Sequence, residues 1–277
     1  MREKVKDFFE QWSHIKETLK GKDLFLFLDY DGTLTPIVET PAEAVLAPEV
    51  KAMLDRLRNS EHCHLTIVSG RALSDLRQRV GLKKIIYVGN HGFEVYGPDI
   101  NWKNGYFPKS RQVFSQILDK LSKTLASMPE VLIEDKRITL SLHVRRLEAD
   151  KKPLFKKSLY KTVMPYVRLK DIHLREGKEV YELRPPVAWD KGKAVLWLLQ
   201  GFHDKSVLPI YIGDDQTDED AFIALKDIAL TIHVGNGETT AQYSLKDTTQ
   251  VKLFLAKILE VQAAERAKIS SDSDNSA

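Results

Sequence analysis

The feature that most constrains this chain is a series of short, unbroken apolar runs, each followed by polar residues and then by a helical pattern. Residues 24–28 (LFLFL) lead into a loop and a helix over 48–58. Residues 64–68 lead into a helix over 72–80, and 85–88 make a third run. The rhythm resumes with a helix over 191–200, a run at 208–212, a helix over 217–225, a run at 229–234 and a last helix near 251–264. A strand that is apolar on both faces must be covered on both, and intervening helices do this in an open parallel sheet. The expectation is an α/β fold with a Rossmann-like, open parallel sheet.

Residues 106–186 break the rhythm. Helical periodicity over 109–127 is followed by strand patterns at 131–136 and 138–145, then by a helix over 150–166 and strands at 171–176 and 179–184. This αββ-αββ quasi-repeat is expected to be a second domain, inserted into a body made of 21–105 and 187–267. In residues 1–20, Val5, Phe8, Phe9, Trp12, Ile15 and Leu19 recur at helical spacing, which predicts an amphipathic helix. Residues 268–277 are mostly small and polar and are expected to be a disordered tail.

Charge divides along the same line. The insert carries 18 Lys and Arg against 10 Asp and Glu, a net of +8, which leaves −5 for the rest of a chain of net charge +3. A basic insert on an acidic body points to a small anionic ligand. Lys151, Lys152, Lys156, Lys157 and Lys161 read as the solvated face of one helix, so no nucleic acid is expected. A single cysteine among 277 residues excludes an internal disulfide framework and fits a reducing compartment. No apolar run approaches the roughly 20 residues needed to span a bilayer. The first residues, MREKVKDFFEQW, mix acids with bases and lack an apolar core. A cytoplasmic protein, with no membrane attachment, is the expectation.

Chemistry concentrates where the apolar runs end. Asp29-Tyr30-Asp31-Gly32-Thr33 follows the first run, Ser69-Gly70-Arg71 the second, and Gly213-Asp214-Asp215 the run at 208–212. In open α/β sheets ligands bind beyond the carboxyl ends of the strands, so the three clusters are expected at one edge. Gathered carboxylates repel unless a cation neutralises them, and an all-oxygen donor set favours Mg²⁺. Ser69 and glycine-flanked backbone N–H groups can hold phosphate oxygens, and Lys191 adds a point charge. An ionised aspartate is a ready nucleophile, and a second carboxyl can protonate a leaving oxygen and then activate water. These parts describe phosphoryl transfer.

DxDGT at 29–33, Ser69, Lys191 and GDDxxDED at 213–220 resemble the sequence blocks of the haloacid-dehalogenase superfamily, in order. More finely, LDYDGTLTPI (28–37), VSGR (68–71), GNHGFE (89–94), IEDK…LHVR (133–145), GKEVYELRP (177–185), WDKGKA (189–194) and GDDQTDEDAF (213–222) resemble the trehalose-6-phosphate phosphatases. The resemblance implies a haloacid-dehalogenase core with an inserted cap domain, acting on trehalose 6-phosphate. It implies Asp29 as nucleophile and Asp31 as general acid/base, with Mg²⁺ on the Asp29 carboxylate, the Asp31 carbonyl and Asp214. Ser69 and Lys191 would hold the phosphoryl group, Asp215 and Asp218 would orient a metal-bound water and Lys191, and Arg71 would reach the substrate or hold the closed form. A functional association with trehalose-6-phosphate synthase goes with this reading.

Alternation along the strands of the insert sends Ile133, Leu140, Leu142, Val144, Ile172, Leu174, Tyr181 and Leu183 to one face. Glu134, Lys136, Ser141, His143, Arg145, His173, Arg175, Glu182 and Arg184 go to the other. Two helices can cover only the apolar face. The polar face suits a ligand rich in hydroxyls, and in the resembled family it reads the disaccharide. Glu134, Lys136, His143, Arg145, Lys178 and Glu182 are the expected contacts, with His91 of the GNHG turn. Three other readings stay open on sequence: a phosphatase for another glycosyl phosphate, a sugar phosphomutase, and an inactive sugar-phosphate sensor or scaffold.

Overall fold

The structure is a computed structural model that describes residues 5–105, 107–177, 179–202 and 207–274, so the expected contact Lys178 lies outside the described residues. Two compact units divide the chain, Met1–Asn101 with Asp190–Ala277, and Trp102–Trp189. Up to the insert the elements are β1 (Lys6–Asp7), α1 (Trp12–Leu19), β2 (Leu24–Asp29), α2 (Pro48–Arg58), β3 (Cys63–Val68), α3 (Leu73–Val80), β4 (Ile86–Gly89), β5 (Glu94–Gly97) and β6 (Ile100–Lys103). Within the insert come α4 (Phe107–Thr124), β7 (Leu132–Asp135), β8 (Leu140–His143), α5 (Lys152–Arg168), β9 (His173–Gly177) and β10 (Val180–Arg184). The chain continues with α6 (Lys191–Gly201), β11 (Leu208–Gly213), α7 (Gln216–Leu225), β12 (Leu230–Val234), β13 (Tyr243–Leu245) and α8 (Thr248–Asp274).

The larger sheet has nine strands in the order β1-β13-β12-β11-β2-β3-β4-β5-β6. From β1 through β4 every neighbouring pair is parallel, and β5 turns back antiparallel on β4. The parallel reading therefore holds for the centre, while one edge is antiparallel. The hairpin strands β5 and β6 are four residues each, too short to carry a period of their own. At the centre, β2 lies between β11 and β3 and all six of its residues are buried. This is why the LFLFL run shows no alternation. The register sets Asp29 beside Val68 and Leu28 beside Ile212, so the three strands end level with one another.

Both ends of the chain differ from expectation. Instead of one helix over the first twenty residues, β1 pairs with β13 and α1 begins only at Trp12. The Asp7 carboxylate accepts the N–H groups of Phe9 at 2.9 Å and Glu10 at 3.1 Å. That local side-chain bond competes with a helix and turns the chain. The apolar spacing still marks buried positions, since Phe8, Ile15 and Leu19 pack in the core. At the other end α8 runs on to Asp274, through most of the stretch expected to be a disordered tail. Ala263, Ala264, Glu265, Arg266, Ala267 and Lys268 are strong helix formers, and extending an existing helix adds a hydrogen bond for each residue ordered. Residues 275–277 lie outside the described part.

The insert forms a four-stranded antiparallel sheet in the order β7-β8-β10-β9. Leu140, Leu142, Val144, Ile172 and Leu183 join Phe114, Ile117 and Leu121 of α4 and Phe155, Leu159 and Val163 of α5 in one core. The compact unit starts at Trp102 and ends at Trp189, slightly wider than 106–186. These two tryptophans sit 5.2 Å apart, rings tilted. β8 stops at His143, so Arg145 stands in a turn rather than on the strand where alternation placed it. Val144 N–H still donates to the Glu179 carbonyl at 2.9 Å, in register with the β8–β10 ladder, and Leu147 N–H then donates back to the Val144 carbonyl at 3.0 Å and closes the turn.

Candidate active site

Asp29 is the last residue of β2 and is buried. Lys191, the first residue of α6, reaches it from a helix whose start is capped by Asp190, which accepts Lys193 N–H at 2.9 Å. The Lys191 Nζ stands 2.6 Å from Asp29 Oδ1 and 2.8 Å from Asp218 Oδ1, with all three side chains at most 5% exposed. Burial alone would lower the Lys191 ammonium, but the Asp218 and Asp29 carboxylates outweigh it and hold it charged, above its usual range. Burial drives the Asp29 carboxyl well above the usual carboxylate range; Lys191 works against this, and the Asp218 and Asp214 charges add to it.

Asp218 is hydrogen-bonded on both oxygens. Its Oδ1 accepts both Lys191 and the Tyr211 hydroxyl, the latter at 2.7 Å, and its Oδ2 accepts Asp215 N–H at 3.1 Å. Asp215 is the N-cap of α7 and forms a capping box with Asp218. The two residues thus brace each other and Lys191. Asp214 is different: its Oδ1 is buried with no hydrogen-bond partner. Burial first, then the Asp218 charge, pushes its carboxyl up to about 8.

Oxygen atoms from Asp29, Asp214 and Asp218 lie within 4.8 Å of one another. Asp218 is bonded on both oxygens, whereas Asp214 lies beside Asp29 with its Oδ1 unbonded, so Asp29 and Asp214 are the better placed to hold a cation. An orphaned buried carboxylate oxygen beside a second carboxylate in an all-oxygen set is a fit for Mg²⁺. Close approach of Asp214 depends on Gly32, which has φ +87° and where any Cβ would run into the Asp214 carboxylate.

The loop after β3 carries Ser69 and Arg71. Ser69 Oγ accepts Arg71 N–H at 3.1 Å, which leaves the hydroxyl hydrogen as a donor. Arg71 is buried and meets Asp31 side-on, Nε to Oδ2 at 2.7 Å and Nη2 to Oδ1 at 2.6 Å. Beyond β4 the chain passes through Asn90 and His91, both left-handed at φ +49° and +55°. Their N–H groups donate to the Arg71 and Ser69 carbonyls at 2.7 and 3.0 Å. The His91 ring stands where a Cβ on Gly70 would be. A backbone held in this sparsely populated region locks the Ser69 loop from behind.

Of the core residues expected from sequence, Asp29, Lys191, Asp215 and Asp218 share one set of hydrogen bonds, Asp31, Ser69, Arg71 and His91 share another, and Asp214 lies beside Asp29 and Asp218. Tyr211 and Asp75 were missed. Tyr211 reads as one more buried strand residue, and the polar job of its hydroxyl shows only in three dimensions. Asp75 had a usable signal, since it lies four residues from both Arg71 and Arg79 at the start of α3.

In the second unit, Glu134, Lys136, His143 and Glu182 gather on the polar face of the smaller sheet. His143 Nε2 lies 2.9 Å from Glu134 Oε2, and Lys136 Nζ lies 3.5 Å from Glu182 and 3.9 Å from Glu134. Glu182 also accepts Arg184 Nε at 2.5 Å. Arg145 is half-buried in its turn beyond β8, outside this group of strand residues.

The fold is shared with a haloacid dehalogenase-like hydrolase from Bacteroides thetaiotaomicron, which matches with a TM-score of 0.61 at 16% identity, over 86% of this chain and all of that one. The trehalose-phosphatase family profile matches residues 27–255. Trehalose-phosphate phosphatase B of Arabidopsis thaliana is 32% identical over 265 residues, 90% of this chain and 70% of that protein. The C-terminal domain of the C. albicans trehalose-6-phosphate phosphatase matches with a TM-score of 0.78 at 26% identity, over 90% of this chain and 96% of that one. The chain belongs to the trehalose-phosphatase family, and is a phosphoric monoester hydrolase.

Proposed function

We propose that this enzyme hydrolyses trehalose 6-phosphate to trehalose and phosphate, the last step of trehalose formation, through an aspartyl-phosphate on Asp29. The observation that carries the reading is Lys191, buried and bridging Asp29 and Asp218 at 2.6 and 2.8 Å. A buried aspartate attacks only if it is kept ionised, and this ammonium opposes the burial that would protonate it.

Asp29, Asp214 and the Asp31 carbonyl would hold Mg²⁺, which when bound supplies positive charge against the carboxylates and the phosphoryl oxygens. An Asp29 oxygen attacks phosphorus, the bond from phosphorus to the sugar oxygen breaks, and Asp31 gives that oxygen its proton. Water then attacks the aspartyl-phosphate, Asp31 takes the proton, and the phosphorus–Asp29 bond breaks to release phosphate. Ser69 and Lys191 hold the phosphoryl group, Asp215 and Asp218 keep Lys191 in place, and Arg71 and His91 border the substrate. Glu134, Lys136, His143, Arg145, Lys178 and Glu182 read the sugar hydroxyls. The paired, largely buried charges on the smaller sheet support this, because groups locked by neighbours recognise hydroxyls at little entropic cost.

A cytoplasmic setting fits the lone Cys63, which is buried, with its thiol pushed up to about 12 by that burial and the Asp23 charge. Among the described residues no helix is long and apolar enough to cross a membrane. A functional association with trehalose-6-phosphate synthase, the source of the substrate, completes the proposal.

The test is phosphate release from trehalose 6-phosphate, sucrose 6-phosphate, glucose 6-phosphate, glucosylglycerol phosphate and p-nitrophenyl phosphate, each with Mg²⁺ and with EDTA. Strong, metal-dependent preference for trehalose 6-phosphate is expected, with a loss of at least about 10³-fold in Asp29→Asn. Preference for another sugar would overturn the substrate, and turnover by Asp29→Asn would overturn the nucleophile.

A further inference from the structure

The Arg71 guanidinium is shared. One edge, Nε and Nη2, grips both oxygens of Asp31, while Nη1 donates to Asp75 Oδ2 at 2.9 Å and Nη2 also reaches the Pro41 carbonyl at 2.9 Å. Asp75 lies in the first turn of α3, four residues from both Arg71 and Arg79. It accepts Arg79 Nε on both oxygens, at 2.9 and 2.8 Å. Arg79 Nη1 in turn donates to the Ala42 and Ala44 carbonyls at 3.2 and 3.1 Å. The Ala44 carbonyl also receives the Tyr30 hydroxyl at 3.1 Å, and the Tyr30 ring lies 5.3 Å from the Arg71 guanidinium carbon. One chain of contacts therefore runs from a helix through Asp75 and Arg71 to Asp31, and a second ties the same helix to the segment that follows Asp31.

We propose that Asp75 is a positioning residue for Asp31, acting through Arg71; this rests on the reading of Asp31 as the general acid/base. A guanidinium on a flexible stem presents its fork in one plane only if a second edge is held. Asp75 supplies that hold from a rigid element, while Asp31 sits on a loop. Burial alone would raise the Asp75 carboxyl, but the hydrogen bonds from Arg79 and Arg71 outweigh it and keep it below the usual range, ionised and able to hold both. The consequence is specific to the leaving group. A sugar oxygen needs a proton as it departs, whereas p-nitrophenolate does not, so displacing Asp31 slows formation of the phosphoenzyme from the first substrate and spares it from the second, while phosphoenzyme breakdown is common to both.

The experiment compares kcat/KM, which reports the steps through departure of the leaving group, for Asp75→Asn, Asp31→Asn and the double variant on trehalose 6-phosphate and on p-nitrophenyl phosphate. Asp75→Asn is expected to lower kcat/KM about 10-fold on the sugar phosphate and no more than about twofold on the aryl phosphate. Asp31→Asn is expected to show the same selectivity at larger size, and the double variant to be no worse than Asp31→Asn alone on the sugar phosphate. Equal losses on both substrates in Asp75→Asn, beside a selective Asp31→Asn, would overturn the proposal and leave the acid/base reading standing. An unselective Asp31→Asn would overturn that reading and the proposal with it. Asp75→Glu, which keeps the charge but lengthens the arm, serves where Asp75→Asn does not fold, with the same selectivity expected.

Discussion

The Tyr211 hydroxyl donates to Asp218 Oδ1 at 2.7 Å, the same oxygen that receives Lys191 Nζ at 2.8 Å. Tyr211 is therefore one link behind the ammonium that serves Asp29. Burial first, and then the Asp218 and Asp29 charges, raise the phenol well above its usual range, so it stays a donor.

Tyr211→Phe removes one donor from a fully buried carboxylate without opening a large cavity. The expected cost is about 2 kcal/mol of stability, in line with a lost hydrogen bond to a charged group. Phosphate release should fall as Lys191 loses part of its brace. Urea denaturation and initial rates check this, and an unchanged midpoint with an unchanged rate would contradict it.

Cation binding should strengthen as pH rises. The Asp214 carboxyl is pushed up to about 8 by burial and the Asp218 charge, whereas in the unfolded chain it titrates near pH 4. Between those values the metal-free folded state holds a proton that the unfolded state has lost, so stability falls as pH rises through this window. A divalent cation needs the deprotonated form and opposes that fall. The melting-temperature gain from MgCl₂ over EDTA is expected to grow from pH 5.5 to 8 and then level off. A gain that is flat across this range would count against the site.

Glu182→Gln separates recognition from chemistry. Glu182 is buried, 3.5 Å from Lys136 and bonded to Arg184 at 2.5 Å. The change should reduce kcat/KM for trehalose 6-phosphate about 10-fold or more, against about twofold for p-nitrophenyl phosphate. Because Lys136 and Arg184 lose a counter-charge, a stability cost of about 3 kcal/mol accompanies it. Equal kinetic losses on the two substrates would place Glu182 outside sugar recognition.

Much of this was legible before any coordinates. The unbroken run at 24–28 marks a strand covered on both faces, and β2 is buried at every position. Because the flanking parallel strands end in the same register, Asp29, Ser69 and Asp214 come to the same end of the sheet. Alternation likewise separated Leu140, Leu142 and Leu183 from Glu134, His143 and Glu182 on the smaller sheet. Local periodicity decides these things, because the side-chain direction of a strand residue is a property of its neighbours in sequence.

Tertiary structure alone decided the rest. No spacing shows that Asp218 takes Tyr211 and Lys191 on one oxygen while Asp214 keeps an oxygen buried and unbonded, since these partners come from β11, α6 and α7. The two-residue β1 exists only because β13 offers it an edge, and the Asp7 side chain overrides an apolar spacing that reads as helix. Sequence patterning reports which face a residue is on. Which charges share a buried partner, and so which carboxylate is open to a cation, is settled by distances of 2.6 to 2.8 Å between separate elements, where low dielectric makes each such pairing matter.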